Sequence, residues 1–286
     1  MVKDKKLQNK KITKLKALSF KQAVAYSKTR KGEEFHPKYF QDKERFIDMM
    51  VSQIRLEKAL NKYWLYYYKG LKEGIDLFDL ENTDIPVKDL IKDIHTVVTG
   101  QLSLEEILRK HLDSAYQYGA QTARDELKQD DDKLNTVITK AYFNRIQKDA
   151  KQIDQTTQKI VIDVLEKERE FQNRKKQVEA AEGDGFFKRL KDRIVNFGRS
   201  ELITDTETIG VFGVAKKVVS NFFSRFQKVQ KRWLAISDKR TCKFCIRADS
   251  KDWVGHKFKY SVQFGLVAQP PAHGRCRCYM ETRIKP

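Results

Sequence analysis

All four cysteines of this chain fall within its last 45 residues, in two tight pairs. One pair lies in DKRTCKFC (238–245) and the other in PPAHGRCRC (270–278), which also holds one of the five histidines. The spacing is Cys242-x2-Cys245, 27 intervening residues, then His273-x2-Cys276-x-Cys278. A C-x2-C turn aims two thiolates at one centre, and tetrahedral zinc takes four nitrogen or sulfur ligands. The candidate ligands are therefore Cys242, Cys245, His273, Cys276 and Cys278, with His256 between the pairs as a spare. A structural zinc would tie together two distant segments of a module too small for much core of its own. Two disulfides or four free thiols are the rival readings. Disulfides suit a reducing cytoplasm poorly and regain ground in an extracellular particle.

The same residues argue against catalysis. AHGRC is neither the H-E-x-x-H of metallohydrolases nor the H-x-E…C-x-x-C of deaminases. Asp238, Asp249 and Asp252 stand near enough in sequence to act as a base, yet aspartates beside a structural knuckle are ordinary. No P-loop and no G-x-G-x-x-G occurs in the chain. The expected protein is not an enzyme.

Charge is unevenly placed. Of the formal +19, residues 1–32 carry +10 from ten Lys, one Arg and one Asp. Residues 216–286 carry +13 from 17 basic and four acidic side chains, which leaves −4 for the rest. Two basic ends on a near-neutral middle indicate a polyanion, most simply double-stranded DNA bound without sequence preference. Lys5, Lys6, Lys10, Lys11 and Lys14 of the N-terminal arm, with Arg275 and Arg277 of the cysteine module, are the candidate phosphate contacts. The bland alternative is that lysine-rich ends serve solubility. Mean hydropathy is −0.67, and no apolar run approaches the ~20 residues of a membrane span. The basic N-terminus is followed by no apolar block, so a soluble, cytoplasm-made product without a cleaved signal is expected.

Between the ends the pattern is helical. Residues 1–32 lack an apolar period and are expected to form an arm that orders on meeting a partner. From Phe46 through Ile54, Trp64 and Leu71, apolar residues recur every three or four positions. The run YWLYYY (63–68) at this spacing reads as core or protein contact in preference to a base-stacking face. Asp84 and Pro86 fit the cap and first turn of a second helix. Ser103 and Glu106 fit a capping box. Residues 131–182 give a thin apolar stripe on a long polar helix or pair of helices, which predicts packing against one neighbour. Residues 186–227 read as two or three shorter helices, with breaks near Gly198 and at 204–206. After Val229, short aromatic and β-branched runs predict two or three strands. The expected fold is mainly α, a long helical body with a small C-terminal α+β module clipped by zinc. The expected divisions are a basic arm (1–32), a helical body (33–185) and a C-terminal domain (186–286) with the Cys/His module at 229–286.

The order TDTETIGVFGVAKK, then RWLAISDKRTCKFC, then PPAHGRCRC resembles the C-terminal region of phage head morphogenesis proteins, the Mu F-like minor head proteins. The matching positions are Thr206, Glu207, Trp233, Asp238, Arg240, Thr241, Cys242, Cys245, Pro270, Pro271, His273, Cys276, Arg277 and Cys278. The joint pattern is specific and covers about residues 200–280. Gly274 stands where that family usually has proline, and IRADSKDW replaces a leucine-acid-glycine stretch. The resemblance implies a minor capsid protein of a tailed phage or prophage. It would be made in the bacterial cytoplasm, lie inside the head near the portal, and touch packaged DNA. Its partners would be portal, capsid and scaffold proteins. Two other classes stand beside it. A zinc-dependent nuclease or toxin-like enzyme would also be basic. A zinc-finger DNA-binding protein would need a base-reading helix after the ligands, and none is apparent.

Overall fold

The computed structural model describes residues 18–27, 35–75, 86–101, 103–175, 184–236, 238, 241–262, 265–274 and 276–286. The five arm lysines lie outside these, as do Asp84, Arg240 and Arg275. The helices are α1 (Phe20–Ser27), α2 (Lys43–Gly74), α3 (Val87–Gln101), α4 (Leu104–Leu127), α5 (Lys133–Lys175), α6 (Asp184–Ile194) and α7 (Phe197–Phe223), with a short 3-10 turn at Pro37–Phe40. Strand β1 (Val229–Leu234), helix α8 (Lys243–Asp249), and strands β2 (Val254–Gly255), β3 (Tyr260–Val262), β4 (Gly265–Val267) and β5 (Tyr279–Ile284) follow. The chain is mostly helical with a small C-terminal sheet region, as its periodicity predicts. No helix among the described residues is long and apolar enough to cross a membrane.

The chain divides into two compact units that are not consecutive in sequence. The first comprises residues 1–55, 111–142 and 202–286; the second comprises 56–110 and 143–201. The division expected near residue 185 is therefore not where the chain parts. The cysteine module shares its unit with helical segments from far upstream.

The second unit buries the aromatic run. Tyr63, Trp64 and Tyr67 are fully buried, with Tyr63 and Trp64 packed edge to face at 4.7 Å. These aromatics are the core of their own unit, and the hydroxyls of the two tyrosines find partners there. The Tyr63 hydroxyl donates to Asp154 at 3.2 Å, Tyr67 pairs with His95 Nδ1 at 2.8 Å, and Arg199 donates to Thr157 at 2.6 Å. Arg199 also lies 4.4 Å over the Trp64 ring. The stripe on α5 is one face of a single helix. Ile146, Ala150, Ile153, Thr157, Val161, Leu165 and Glu168 are all buried at three- or four-residue spacing.

In the first unit, α4 and α7 approach at the level of their backbones. A Cβ on Gly119 would sit 2.2 Å from the Phe212 carbonyl oxygen, so only glycine permits this contact. Around it Tyr39, Tyr118, Phe212 and Tyr279 form an aromatic cluster with centroids 4.9–6.0 Å apart. Asn196 caps α7, accepting the Gly198 N–H on its side chain at 2.9 Å. The break expected near Gly198 thus exists, at residues 195–196. The one expected at 204–206 does not. Thr204 and Thr208 are buried at 1% exposure, and tertiary burial overrides their weak helix preference. Ser103 accepts from the Glu106 N–H at 3.3 Å, which completes one half of the capping box.

Candidate metal centre

Two antiparallel sheets frame the cysteines. β1 is the middle strand of a sheet ordered β2–β1–β5, and β3 pairs with β4. More strands form than the two or three expected. β5, directly after the last cysteine, was not among those predicted. β1 alternates in burial along its length, placing Val229, Lys231 and Trp233 inward. Trp233, Tyr260, Val262, Ala248 and Met280 enclose Cys245, Cys276 and Cys278 in one small core.

Cys242 is the N-cap of α8, and its sulfur accepts the Cys245 N–H at 3.4 Å. The first helical turn then brings Cys245 beneath it. The other half arrives on the 270–278 segment. His273 Nδ1 pairs with the Gly274 carbonyl at 2.8 Å. That bond makes Nδ1 the protonated nitrogen and leaves Nε2 as the donor atom for a ligand. Nε2 lies 3.3 Å from Cys242 Sγ and 3.5 Å from Cys245 Sγ. Cys245 Sγ is 3.9 Å from Cys276 Sγ. Two groups of three therefore share Cys245: Cys242, Cys245 and His273, and Cys245, Cys276 and Cys278. Within each, all ligand atoms lie within 4.8 Å of one another. No two sulfurs are bonded; all four residues are thiols.

The cluster can hold a metal ion. Zinc–sulfur and zinc–nitrogen bonds of ~2.3 and ~2.0 Å in a tetrahedron set ligand separations of roughly 3.5–3.8 Å. The 3.3–3.9 Å contacts here sit close to that range. The protonation pattern of the thiols is divided. Hydrogen bonding from Cys245 and Cys278 holds the Cys276 thiol well below its ordinary range. Hydrogen bonding to Cys276 and Cys278, with burial, pushes Cys245 up. At Cys242 burial opposes ionisation, but the Cys245 N–H and nearby His273 outweigh it and lower the thiol. At His273 burial pulls the imidazole down, and the Gly274 carbonyl with the Cys276 and Cys242 sulfurs raise it overall. Several thiolates at such separations repel, and a divalent cation is what removes the repulsion.

The remaining predicted residues fall elsewhere. His256 joins neither group. Arg277 is only 7% exposed, and its two terminal nitrogens donate to the two carboxylate oxygens of Asp238 at 2.8 and 2.9 Å. Asp238 in turn accepts from the Thr241 hydroxyl at 2.9 Å. The proposed phosphate contact at Arg277 is thus corrected: its fork braces the 238–242 turn that presents Cys242. No carboxylate belongs to either metal group among the described residues.

Two supports were not visible in the sequence. Tyr39, fully enclosed, donates its hydroxyl to the Cys278 carbonyl at 3.1 Å. Glu126 gathers β5 onto the helices: it accepts from Lys216 Nζ at 2.7 Å, from the Tyr279 hydroxyl at 2.5 Å, and from the Thr282 N–H and hydroxyl at 2.8 and 2.6 Å. Lys216 also donates to Tyr279 at 2.8 Å. A buried basic residue on α7 was the only available hint, and a sequence does not say that it is buried.

No family model, curated protein or solved structure matches the chain.

Proposed function

We propose that this is a non-enzymatic minor head protein of a tailed phage or prophage, with a C-terminal module clipped by structural zinc. The observation that carries the reading is the joint sequence pattern from Thr206 to Cys278 and its resemblance to Mu F-like minor head proteins. The described residues of that pattern lie on α7, β1, the connection from β1 to α8, α8 itself and the 270–278 segment, all in one compact unit. Trp233, the tryptophan of the pattern, packs in the core around three of the cysteines. The zinc ligands are Cys242, Cys245, His273 and Cys276, which the short sulfur and imidazole contacts link in series. Cys278 stands behind Cys245 and Cys276 as a thiol. A set closed by nitrogen and sulfur leaves no open position and no adjacent carboxylate base, which favours a clip over a nuclease.

DNA contact is made by basic residues of the two ends, without base readout. The protein works inside the capsid with portal and shell proteins as partners. The test is co-expression of the full chain with the portal protein from the same genome. Capture of the portal after nuclease treatment and a high-salt wash is the expected result. Recovery of the chain alone, or metal-dependent cleavage of duplex DNA abolished by Cys242→Ser, overturns the reading.

A further inference from the structure

The sheet β2–β1–β5 turns one face inward, where Lys231, Trp233, Met280 and Thr282 are buried by the alternation of their strands. On its other face the cross-strand register sets side chains in rows. Arg232 stands opposite Glu281, and Gln230 opposite Arg283. Lys228 and Lys285 extend the ladder by one pair, joined by the Lys285 N–H and the Lys228 carbonyl at 2.7 Å. On the far side of β1 is Trp253, the residue before β2. Its ring centroid lies 4.8 Å from the Arg232 guanidinium and 4.0 Å from that of Arg283. The Pro37–Phe40 turn meets one end of this face: His36 stacks on Tyr279 at 5.8 Å, and Lys38 reaches Glu281 at 2.7 Å. At the other end Lys228 and Lys285 are exposed.

The charges on this outer face do not cancel. Glu281 is the one acid of these rows, and Lys38 and Arg232 both bind it, at 2.7 and 2.6 Å. Arg283 donates its Nε to Gln230 at 3.1 Å. Its two terminal nitrogens, like the ammonium groups of Lys228 and Lys285, have no partner among the described residues. Like charges directly opposite on neighbouring strands destabilise a sheet. Here lysine faces lysine, with an arginine next on the same side of β5. A bound anion would remove that repulsion.

We propose that this end of the sheet is the surface on which the C-terminal module meets the backbone of duplex DNA, with Arg283, Lys228 and Lys285 neutralising neighbouring phosphates. Residues two apart on a strand are separated by roughly 6.6 Å and neighbouring strands by roughly 4.8 Å, so the cations are spread over an open face. Such a face has no pocket to enclose a small anion, whereas a polyanion with a charge every ~1.7 Å of axis can answer all three. Trp253 holds the Arg283 guanidinium flat and leaves its N–H edge outward, the form in which arginine addresses phosphate. A ring already engaged by two guanidinia is not free to stack a base, so the contact is with the backbone and blind to sequence. The proposal rests on the reading that the C-terminal end contacts DNA, and gives that contact an address.

Anisotropy of a short labelled duplex of arbitrary sequence, titrated with the full chain over a series of salt concentrations, tests it. Each phosphate contact contributes roughly 0.9 to the slope of log affinity against log salt. The combined variant Lys228→Gln, Arg283→Gln, Lys285→Gln should therefore flatten the slope by about 2–3 and weaken binding about tenfold or more. The combined variant Lys133→Gln, Lys140→Gln, Lys148→Gln removes the same charge from exposed positions on α5 and should keep the wild-type slope. Metal content and thermal midpoint check that the sheet variant folds. Relieving the Lys228–Lys285 opposition should leave that midpoint unchanged or raise it. A wild-type slope in the sheet variant turns the face over to an acidic protein partner and overturns the proposal. So does an equal flattening in the α5 variant, which would mark net charge alone; in both cases DNA contact by the chain still stands. A wild-type chain that binds no duplex overturns the DNA reading and this address together.

Discussion

The second unit is held by aromatic volume: Tyr63, Trp64 and Tyr67 are fully buried, as are Val161 and Leu165 of α5. The cysteine module has strands of two, three and six residues and a seven-residue helix. Its few buried apolar side chains gather around thiols. The helical unit can lose one side chain and keep a core. The module has no comparable reserve, since the cluster occupies the centre of what it buries. The difference sets buried area in one region against a cluster able to hold a metal in the other.

The largest effect should come from the module. Structural zinc contributes about 10–16 kcal/mol, most of it expressed as folding. Chelation, or Cys245→Ser, should abolish the near-ultraviolet signal of Trp233 and Trp253 and leave most of the helical far-ultraviolet signal. Cys278→Ser should retain one metal per chain by elemental analysis. A chain free of stoichiometric metal when purified under reducing conditions breaks the comparison outright.

Next is the helical unit. Trp64→Ala should cost about 3–5 kcal/mol by cavity formation, read as a lowered denaturant midpoint with metal content unchanged. Should metal be lost as well, the two regions are not separate in their stabilisation.

A smaller effect is expected at Arg277→Lys, which keeps charge and loses the two-pronged pairing with Asp238. A destabilisation of about 1–2 kcal/mol in the module is expected, with the salt dependence of DNA binding unchanged. A flattened salt slope would return Arg277 to phosphate contact.

The smallest concerns pH. Burial raises Asp154 above the ordinary carboxylate range, against the opposing pull of His95, Tyr63 and Arg199. A raised folded value means that its contribution is present at low pH and lost as pH rises through that value. Asp154→Asn should therefore flatten the pH dependence of stability in the mildly acidic range. An unchanged profile would show that the polar group inside the helical unit does not titrate with folding.

The regularity of helices made much of this legible. Residues such as Phe46, Ile54, Trp64 and Leu71 lie on one face because 3.6 residues make a turn, and that needs no partner to be known. The metal cluster was legible because a two-residue gap between cysteines is itself a geometry. β5 escaped notice because YMETRI earns its strand only by pairing with β1, some 50 residues earlier. Residues 204–206 read as a break because the burial of Thr204 is not written in a local propensity. Lys231 looked like one more charge in a basic tail, and His256 like a spare metal ligand. Only the alternation of β1 turns Lys231 inward, and the return of the chain at Ala268 gives it a carbonyl to meet.

The joint at Glu126 also bears on timing. Its acceptors serve Tyr279 and Thr282, which are 153 and 156 residues further along. As the chain leaves the ribosome, the helix bearing Glu126 is complete long before its binders are made. Loop closure over such a span is slow in comparison with helix formation. The first unit therefore closes last, and a nascent chain halted before β5 would hold a carboxylate answered by Lys216 alone and a β1 open along one edge. Those are surfaces by which a cell's chaperones and proteases recognise an unfinished chain.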